Sequence, residues 1–307
     1  MVSNNMPINY IEEDEIDLKE LFTTILKYKY KIILFSFTIT FLTFIYVLAK
    51  PNVYKSEVIL APQEQSKASI GGGLSALAGL AGVSLGGGNG MDAYTALSTI
   101  LKDYNFNKMV IQKYHLDKKL NDPNLNKNYI FALGYRGIYD MLHSNKKQKI
   151  DDNILYNTYL TLTNIISLNQ DKKSGLITLS VENSDRLLAK KLVVIYLKEL
   201  TSYLREHDMK DVEEKLKYYE NELSITQDVE LKTQLSQLMS SLVQKKVLSK
   251  ASEFYIVKKV TEPRIANIKE KIKPKRALIL IVAMITSIIL AIFGIFFIEF
   301  LNSEQSL

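Results

Sequence analysis

The chain has 307 residues, enough for one large domain or two modest ones, and a formal net charge of +6. It contains no cysteine, which excludes disulfides and thiolate metal sites. Its apolar residues are concentrated in two long uncharged runs near the two ends, which indicates membrane segments rather than an ordinary soluble globule.

The first predicted element is a short amphipathic helix over residues 16–26. Apolar residues recur there at intervals of three and four, which is typical of a helix with one apolar face. Such a helix lies on a membrane surface. Acidic residues are frequent between Glu12 and Glu20, so the first 31 residues are too long and too acidic to begin a cleaved signal peptide.

Residues 32–49 form an uncharged run whose length is close to the roughly 20 residues that a bilayer core requires. We predict a transmembrane helix there. A buried core helix and a signal peptide are the alternatives, but no small-x-small cleavage site closes the run before Lys50.

The segment between the two apolar runs, residues 50–276, is basic. It carries 35 Lys and Arg against 25 Asp and Glu, a formal charge of +10. This excess indicates either attraction to lipid phosphates or acidic polymers, or ordinary solvation, and the composition leaves both open. The segment begins with VYKSEVILAP (53–62), whose alternation predicts a strand.

A glycine-rich stretch follows at 71–90 and holds nine of the thirteen glycines. It lacks the GxxxxGK[ST] phosphate-binding pattern, and GNGMDA (88–93) matches GxGxxA without a strand–helix–strand unit or the expected acidic residue. We predict a mobile, lipid-facing or pore-facing loop, with a loop of no particular role as the alternative. The glycines taken as candidate site residues are Gly71, Gly72, Gly73, Gly86, Gly87, Gly88 and Gly90.

The middle of the chain predicts helices over 92–116 and 128–142, then a β-hairpin over 163–182. Two apolar, β-branched segments flank the turn sequence DKKSG in that hairpin. The three histidines, His115, His143 and His207, all fall on predicted helices and are far apart.

Residues 184–251 predict a long helical hairpin. Ser184 is the candidate N-cap, a heptad-like apolar seam follows up to residue 223, SITQD (224–228) breaks the helix, and the same spacing then resumes. The seam residues are Met209, Val212, Leu216, Tyr219, Leu223, Leu231, Leu235, Leu238 and Leu242.

The chain then predicts a strand at FYIVKKV (254–260) and a second transmembrane helix over 277–301. Pro274 sets where this helix begins, and Lys275 and Arg276 follow at headgroup level. Ala283, Ser287 and Ala291 recur every four residues, a spacing that lets membrane helices approach closely. This face meets a helix either of this chain or of a partner.

The fold class that these elements predict is α+β. A mixed sheet forms a base, the helical hairpin projects from it, and two transmembrane helices flank the whole domain. No nucleophile elbow, HExxH motif or histidine pair at ligand spacing occurs in the sequence. We therefore expect no enzymatic activity, no cofactor or metal and no nucleic-acid partner.

At the level of the whole chain the sequence resembles the Wzz-type polysaccharide co-polymerases, the chain-length determinants of bacterial surface glycans. The resemblance rests on four stretches in order between and around the two apolar runs. They are EIDLKELFTTILKYKYKI (15–32), YKSEV (54–58), SGLITLSVENSDRLLAKKLVVIYLKEL (174–200) and TEPRIANIKEKIKPKRALI (261–279).

The resemblance implies an inner-membrane protein with both termini cytoplasmic, residues 1–31 and 302–307, and with 50–276 in the periplasm. It implies a homo-oligomeric ring, often of eight copies, that acts with a glycan polymerase on carrier-lipid-linked polysaccharide such as O-antigen of lipopolysaccharide. The family's proline-rich entry to the second helix is reduced here to Pro263 and Pro274, and Asn-Ser-Asp-Arg stands at 183–186 where relatives commonly have Asp-Pro.

Two other functions fit less well. A capsule or exopolysaccharide export co-polymerase, partnered with a transporter, belongs to the same superfamily. A membrane sensor with a periplasmic domain would need an output module, and the short terminal segments provide none.

Overall fold

The computed structural model describes residues 18–63, 92–122, 125–143 and 153–304. Their contacts divide into two compact units. A helical unit takes in the described parts of 1–50, 135–142 and 275–307, and a larger unit takes in those of 51–134 and 143–274.

The helical unit begins with α1 (Leu18–Lys27) and α2 (Lys29–Leu48), separated only by Tyr28. The C-terminal helix of the chain, Arg276–Glu304, packs along α2. Lys29–Leu48 and Arg276–Glu299 are each long and apolar enough to cross a bilayer. Both spans were predicted within a few residues.

The larger unit is built on a five-stranded sheet. The strands and helices of the chain after α2 follow here in order, whichever unit they belong to. They are β1 (Val53–Pro62), α3 (Ala93–Lys102), α4 (Tyr104–Tyr114), α5 (Leu116–Leu120), α6 (Gly137–His143, largely assigned to the helical unit), α7 (Ile154–Ile165), β2 (Ile166–Gln170), β3 (Ile177–Asn183), α8 (Arg186–Ile225), α9 (Val229–Ala251), β4 (Val257–Lys259) and β5 (Lys271–Lys273); the C-terminal helix is α10.

The sheet has the order β2-β3-β1-β4, and β5 pairs with the start of β1 on the same edge as β4. Tyr54 lies opposite Asn183 and Leu60 opposite Ile177 in the β1–β3 ladder. Every pairing between described strands is antiparallel. The α+β class is therefore confirmed, but the expected mixed sheet is wrong, because every strand beside β1 runs back along it.

The main core lies between this sheet and its helices. Side chains from β1 and β3 pack against the first half of α8, with α3, α4 and α7 completing the enclosure. Tyr54, Val58 and Leu60 on alternate positions of β1 are at most 1% exposed, as the period of a half-buried strand requires. The alternation predicted from the sequence thus produces the buried face.

The long arm formed by α8 and α9 has its own smaller core. Val212, Tyr219, Leu235, Leu238 and Leu242 are buried there, and the remaining contacts come from Met209, Leu216, Leu223 and Met239. All of these except Met239 are predicted seam positions, so the seam joins the two helices of one chain. Leu231, which was also predicted, is 44% exposed and does not belong to this core. Polar contacts cross the arm as well, such as Lys246 Nζ to Glu213 Oε1 at 2.7 Å.

The start of α8 differs from the sequence prediction. Asp185, not Ser184, is the N-cap, and its Oδ1 accepts from the backbone N–H groups of Leu187 (2.8 Å) and Leu188 (3.2 Å). Asn183 Oδ1 in turn accepts from the Asp185 N–H, and Asn128 Nδ2 donates to Asp185 Oδ2. Both Ser and Asp are good caps, so neighbouring side chains decide between them.

The predicted helices of the middle segment are also shorter than expected. Asp103 caps α4 by accepting from Phe106 N at 2.7 Å and divides the helical run 92–116. Residues 128–142 contain a 3₁₀ turn (Ala132–Gly134) and the short α6 instead of one helix. His115 lies between α4 and α5 at φ 50°, so it is not within a helix.

Candidate functional sites

The first candidate site is the seam between α2 and α10, where small residues let the helices approach. Ser287 is 2% exposed and Ser36 6%, and their hydroxyl oxygens lie 2.7 Å apart. Ala291, one turn further along α10, is buried, and Ala283, one turn earlier, is half-buried. The predicted small-residue face of α10 therefore meets a helix of the same chain.

The hydrogen bond between the two hydroxyls at this seam can be donated from either side. Ser287 Oγ also lies 2.8 Å from the carbonyl oxygen of Met284, so its single proton can be used within α10 or across to Ser36. Interhelical hydrogen bonds of this kind contribute about 0.6 kcal/mol on average in a bilayer, so packing of the small side chains supplies most of the specificity.

Polar contacts close the helix pair at both ends. Lys27 Nζ lies 3.2 Å from Glu299 Oε1 at one end. At the other end, Arg276 Nη2 donates to the carbonyl of Lys50 at 2.9 Å. Lys275 is exposed beside it. The guanidinium thus joins the first turn of α10 to Lys50, two residues after the end of α2, while the neighbouring lysine remains open to solvent or lipid.

The second candidate site is the strap, the segment 260–270 between β4 and β5. Pro263 is buried within it and cannot donate to a ladder, which prevents one continuous strand along β1. Side chains hold the strap instead. The Ser56 hydroxyl donates to the carbonyl of Arg264 at 2.8 Å, and Tyr54 Oη donates to that of Ile268 at 3.3 Å.

Arg186 completes the attachment of the strap from the first turn of α8. Its Nη1 donates to the carbonyl of Ala266 at 3.1 Å, and its guanidinium carbon lies 5.7 Å from the centroid of the Tyr54 ring. Three motif positions that carry the family resemblance, Tyr54, Ser56 and Arg186, therefore meet on one segment of backbone. Pro274, a cis residue, follows β5 in the same unit.

A buried carboxylate is a further site that the sequence analysis missed. The Glu199 side chain is 4% exposed, and it accepts from Lys113 Nζ at 2.8 Å and from Tyr114 Oη at 2.6 Å. Burial alone would raise the pKa of Glu199, but the hydrogen bonds from Lys113 and Tyr114 hold the pKa below its usual value. The hydrogen bond to Glu199, together with burial, raises the pKa of Tyr114 to about 12. This cluster fastens α4 to α8.

The remaining predicted site residues are not brought together with these. The glycines between Gly71 and Gly90 lie outside the described residues. Pro263 belongs to the larger unit, and Lys275 and Arg276 belong to the helical unit. Within the described ranges, no group of three His, Cys, Asp or Glu side chains could hold a metal ion.

Comparison with known protein families gives a match over the first third of the chain. The family described as Wzz, chain length determinant protein, matches residues 14–114. The chain is thus similar to the Wzz family over these residues. The resemblance found in the sequence is thus confirmed for the part that contains α1, α2, β1, α3 and α4.

The comparisons with curated proteins and with solved structures give less information about function. No curated protein matches the chain. Among solved structures, the chain is similar to a full-length bacterial polysaccharide co-polymerase at 12% identity and a TM-score of 0.40, over 94% of this chain and 99% of that one. The Wzz match therefore supports chain-length regulation as the functional class, and the matched range ends at residue 114.

Proposed function

We propose that the protein regulates the chain length of a bacterial surface polysaccharide, of the O-antigen type found in lipopolysaccharide. It would act as a non-enzymatic co-polymerase on a polymerase that extends glycan on a carrier lipid. The observation that carries this proposal is the Wzz match over residues 14–114. This range includes the first spanning helix and the central strand of the sheet.

The proposed location is the inner membrane, with the larger unit in the periplasm and both chain ends in the cytoplasm. Two helices of spanning length, α2 and α10, flank the larger unit in the sequence, which supports this topology. An even number of spans returns the chain to the side where it began. The basic excess of residues 50–276 would then face lipid headgroups and acidic glycans.

The proposed assembly is a ring of identical copies, with eight as the number that the family resemblance implies. The arm supports it, because apolar side chains also cover its outer face. The exposed fractions are 61% for Tyr218, 65% for Ile225, 47% for Val243, 60% for Val247 and 52% for Leu248. Exposed apolar patches of this kind mark surfaces that another chain covers.

Two sites would contact the partners of the ring. Lys275, exposed at the start of α10, would face the polymerase or the pyrophosphate of the carrier lipid. The glycine-rich stretch at 71–90 would form a loop near the membrane that the ring gathers into a belt, and this remains a sequence-based expectation.

The ladder of surface polysaccharide on a gel tests the function directly. Deletion of the gene is expected to replace a clustered band pattern with short, unregulated chains, and the intact gene is expected to restore the cluster. Loss of all surface glycan would point to export instead. An unchanged ladder would contradict the proposed function altogether.

Charge reversal at Lys275 tests the proposed contact at the start of α10. Lys275→Glu is expected to shift the modal glycan length while the protein still inserts, because within the part of the chain that the structure describes it is Arg276, and not the exposed Lys275 ammonium, that joins the helix pair. Lys172→Glu, in the exposed turn between β2 and β3, is the matched control. Equal ladders for both variants would remove Lys275 from the site.

A further inference from the structure

The junction between α1 and α2 carries an alternating run of lysines and tyrosines, Lys27-Tyr28-Lys29-Tyr30-Lys31. Each ammonium group lies near an aromatic ring. Lys27 Nζ and Lys31 Nζ are both 5.0 Å from the Tyr28 ring centroid, and Lys29 Nζ is 5.3 Å from that of Tyr30. Three positive charges therefore lie beside two aromatic rings at one end of a helix of spanning length.

The surface around this cluster is amphipathic and uncovered. Tyr30 is 76% exposed, and on α1 the side chains of Phe22 (63%) and Leu26 (51%) are exposed one helical turn apart. Tyrosine rings and long apolar side chains beside lysines are typical of the membrane–water interface. The apolar part of this surface matches acyl chains, and the cationic part matches headgroups.

Two of the lysines are available to an anion. Lys27 is paired with Glu299 of α10 at 3.2 Å, which fixes the junction against the second apolar helix. Lys29 and Lys31 are exposed, and among the residues that the structure describes neither forms a salt bridge. No carboxylate within the described ranges therefore neutralises these two charges, and an anion can bind them.

We propose that Lys29 and Lys31, with Tyr28 and Tyr30, form a binding site for the phosphate headgroup of an anionic phospholipid. In this arrangement Phe22 and Leu26 enter the acyl-chain boundary beside the same lipid. The proposal rests on the membrane insertion proposed above, and it adds a lipid class and the residues that select it.

The test uses the absence of tryptophan from the chain. Tyr30→Trp introduces one fluorophore into the site and keeps an aromatic ring there. The full chain is reconstituted with brominated phosphatidylglycerol or brominated phosphatidylcholine of matched acyl chains, and quenching gives their relative affinity for the site. We expect phosphatidylglycerol to be preferred by about fivefold or more, and the preference to fall in 1 M salt.

Matched variants in the Tyr30→Trp background separate the site from bulk charge. Lys29→Gln with Lys31→Gln is expected to remove the preference, whereas Lys172→Gln with Lys173→Gln, an exposed pair in the β2–β3 turn, is expected to leave it unchanged. Equal affinity of the Tyr30→Trp protein for the two lipids would overturn the lipid site but not membrane insertion. An unchanged preference in the variant with Lys29→Gln and Lys31→Gln would do the same. Absence of quenching by either lipid would overturn membrane insertion and, with it, this site.

Discussion

Leu238→Ala combined with Leu242→Ala is expected to unfold the arm while the sheet and its helices stay folded. Both leucines are buried in the arm, at 7% and 3% exposure, and the core they belong to shares no residue with the main core. A buried Leu→Ala change costs roughly 2–5 kcal/mol, and the arm has only five buried apolar side chains with which to absorb two such losses. Hydrogen exchange is the measurement.

Exchange should become fast in peptides from 206–251 and remain slow in β1, β3 and the first half of α8. The matched control is Val243→Ala with Val247→Ala, which truncates two exposed side chains of the same helix. Equal protection of the arm in both variants would show that the inner seam does not hold it together. If the arm is needed for function, the seam variant should also lose the clustered glycan ladder.

The elements with a strong period could be predicted from the sequence. The segment 53–62 alternates well enough to predict a strand, and the structure begins and ends β1 at those residues. The arm seam repeats every three and four residues, so its positions and the break near residue 226 follow from helical geometry. The two apolar helices were predicted from the length of their runs and the lack of charge in them, not from a period.

The strap and its strand could not be predicted. Lys271–Lys273 is KIK, three residues with no strand pattern, and it becomes β5 only because β1 offers a free edge there. The carbonyls of Arg264 and Ala266 are held by side chains from distant parts of the chain. Local sequence carries no information on such pairings, which depend on how the elements assemble.

Glu199 could have been found. It stands seven residues after Leu192 and three after Tyr196, so helical geometry places it on the buried face of α8. A carboxylate on that face requires a donor, and Lys113 and Tyr114 provide it. The identity of the two donors could not be predicted, because Lys113 and Tyr114 lie 86 and 85 residues away from Glu199 in the sequence.

Val243→Glu combined with Val247→Glu is expected to abolish assembly of the proposed ring without unfolding the arm. Both side chains are about half exposed and lie one turn apart on the outer face of α9. Each new carboxylate would be three residues before a lysine, Lys246 or Lys250, a spacing that favours the isolated helix. Placed between two copies, the same carboxylates would lose water without a fixed partner, at a cost of several kcal/mol each.

The particle mass in detergent and amine cross-linking in membranes measure the assembly. The glutamate variant should run as protomers and give the short, unregulated glycans of the deletion strain, while its arm remains as protected from hydrogen exchange as in the parent. Val243→Leu with Val247→Leu keeps the surface apolar and should assemble normally. A glutamate variant with full-sized particles would show that this face does not join the copies. A glutamate variant that runs as protomers but keeps an unchanged ladder would show that length control does not require the ring. The inner seam would then serve the stability of the arm, and the outer face would serve assembly without affecting glycan length.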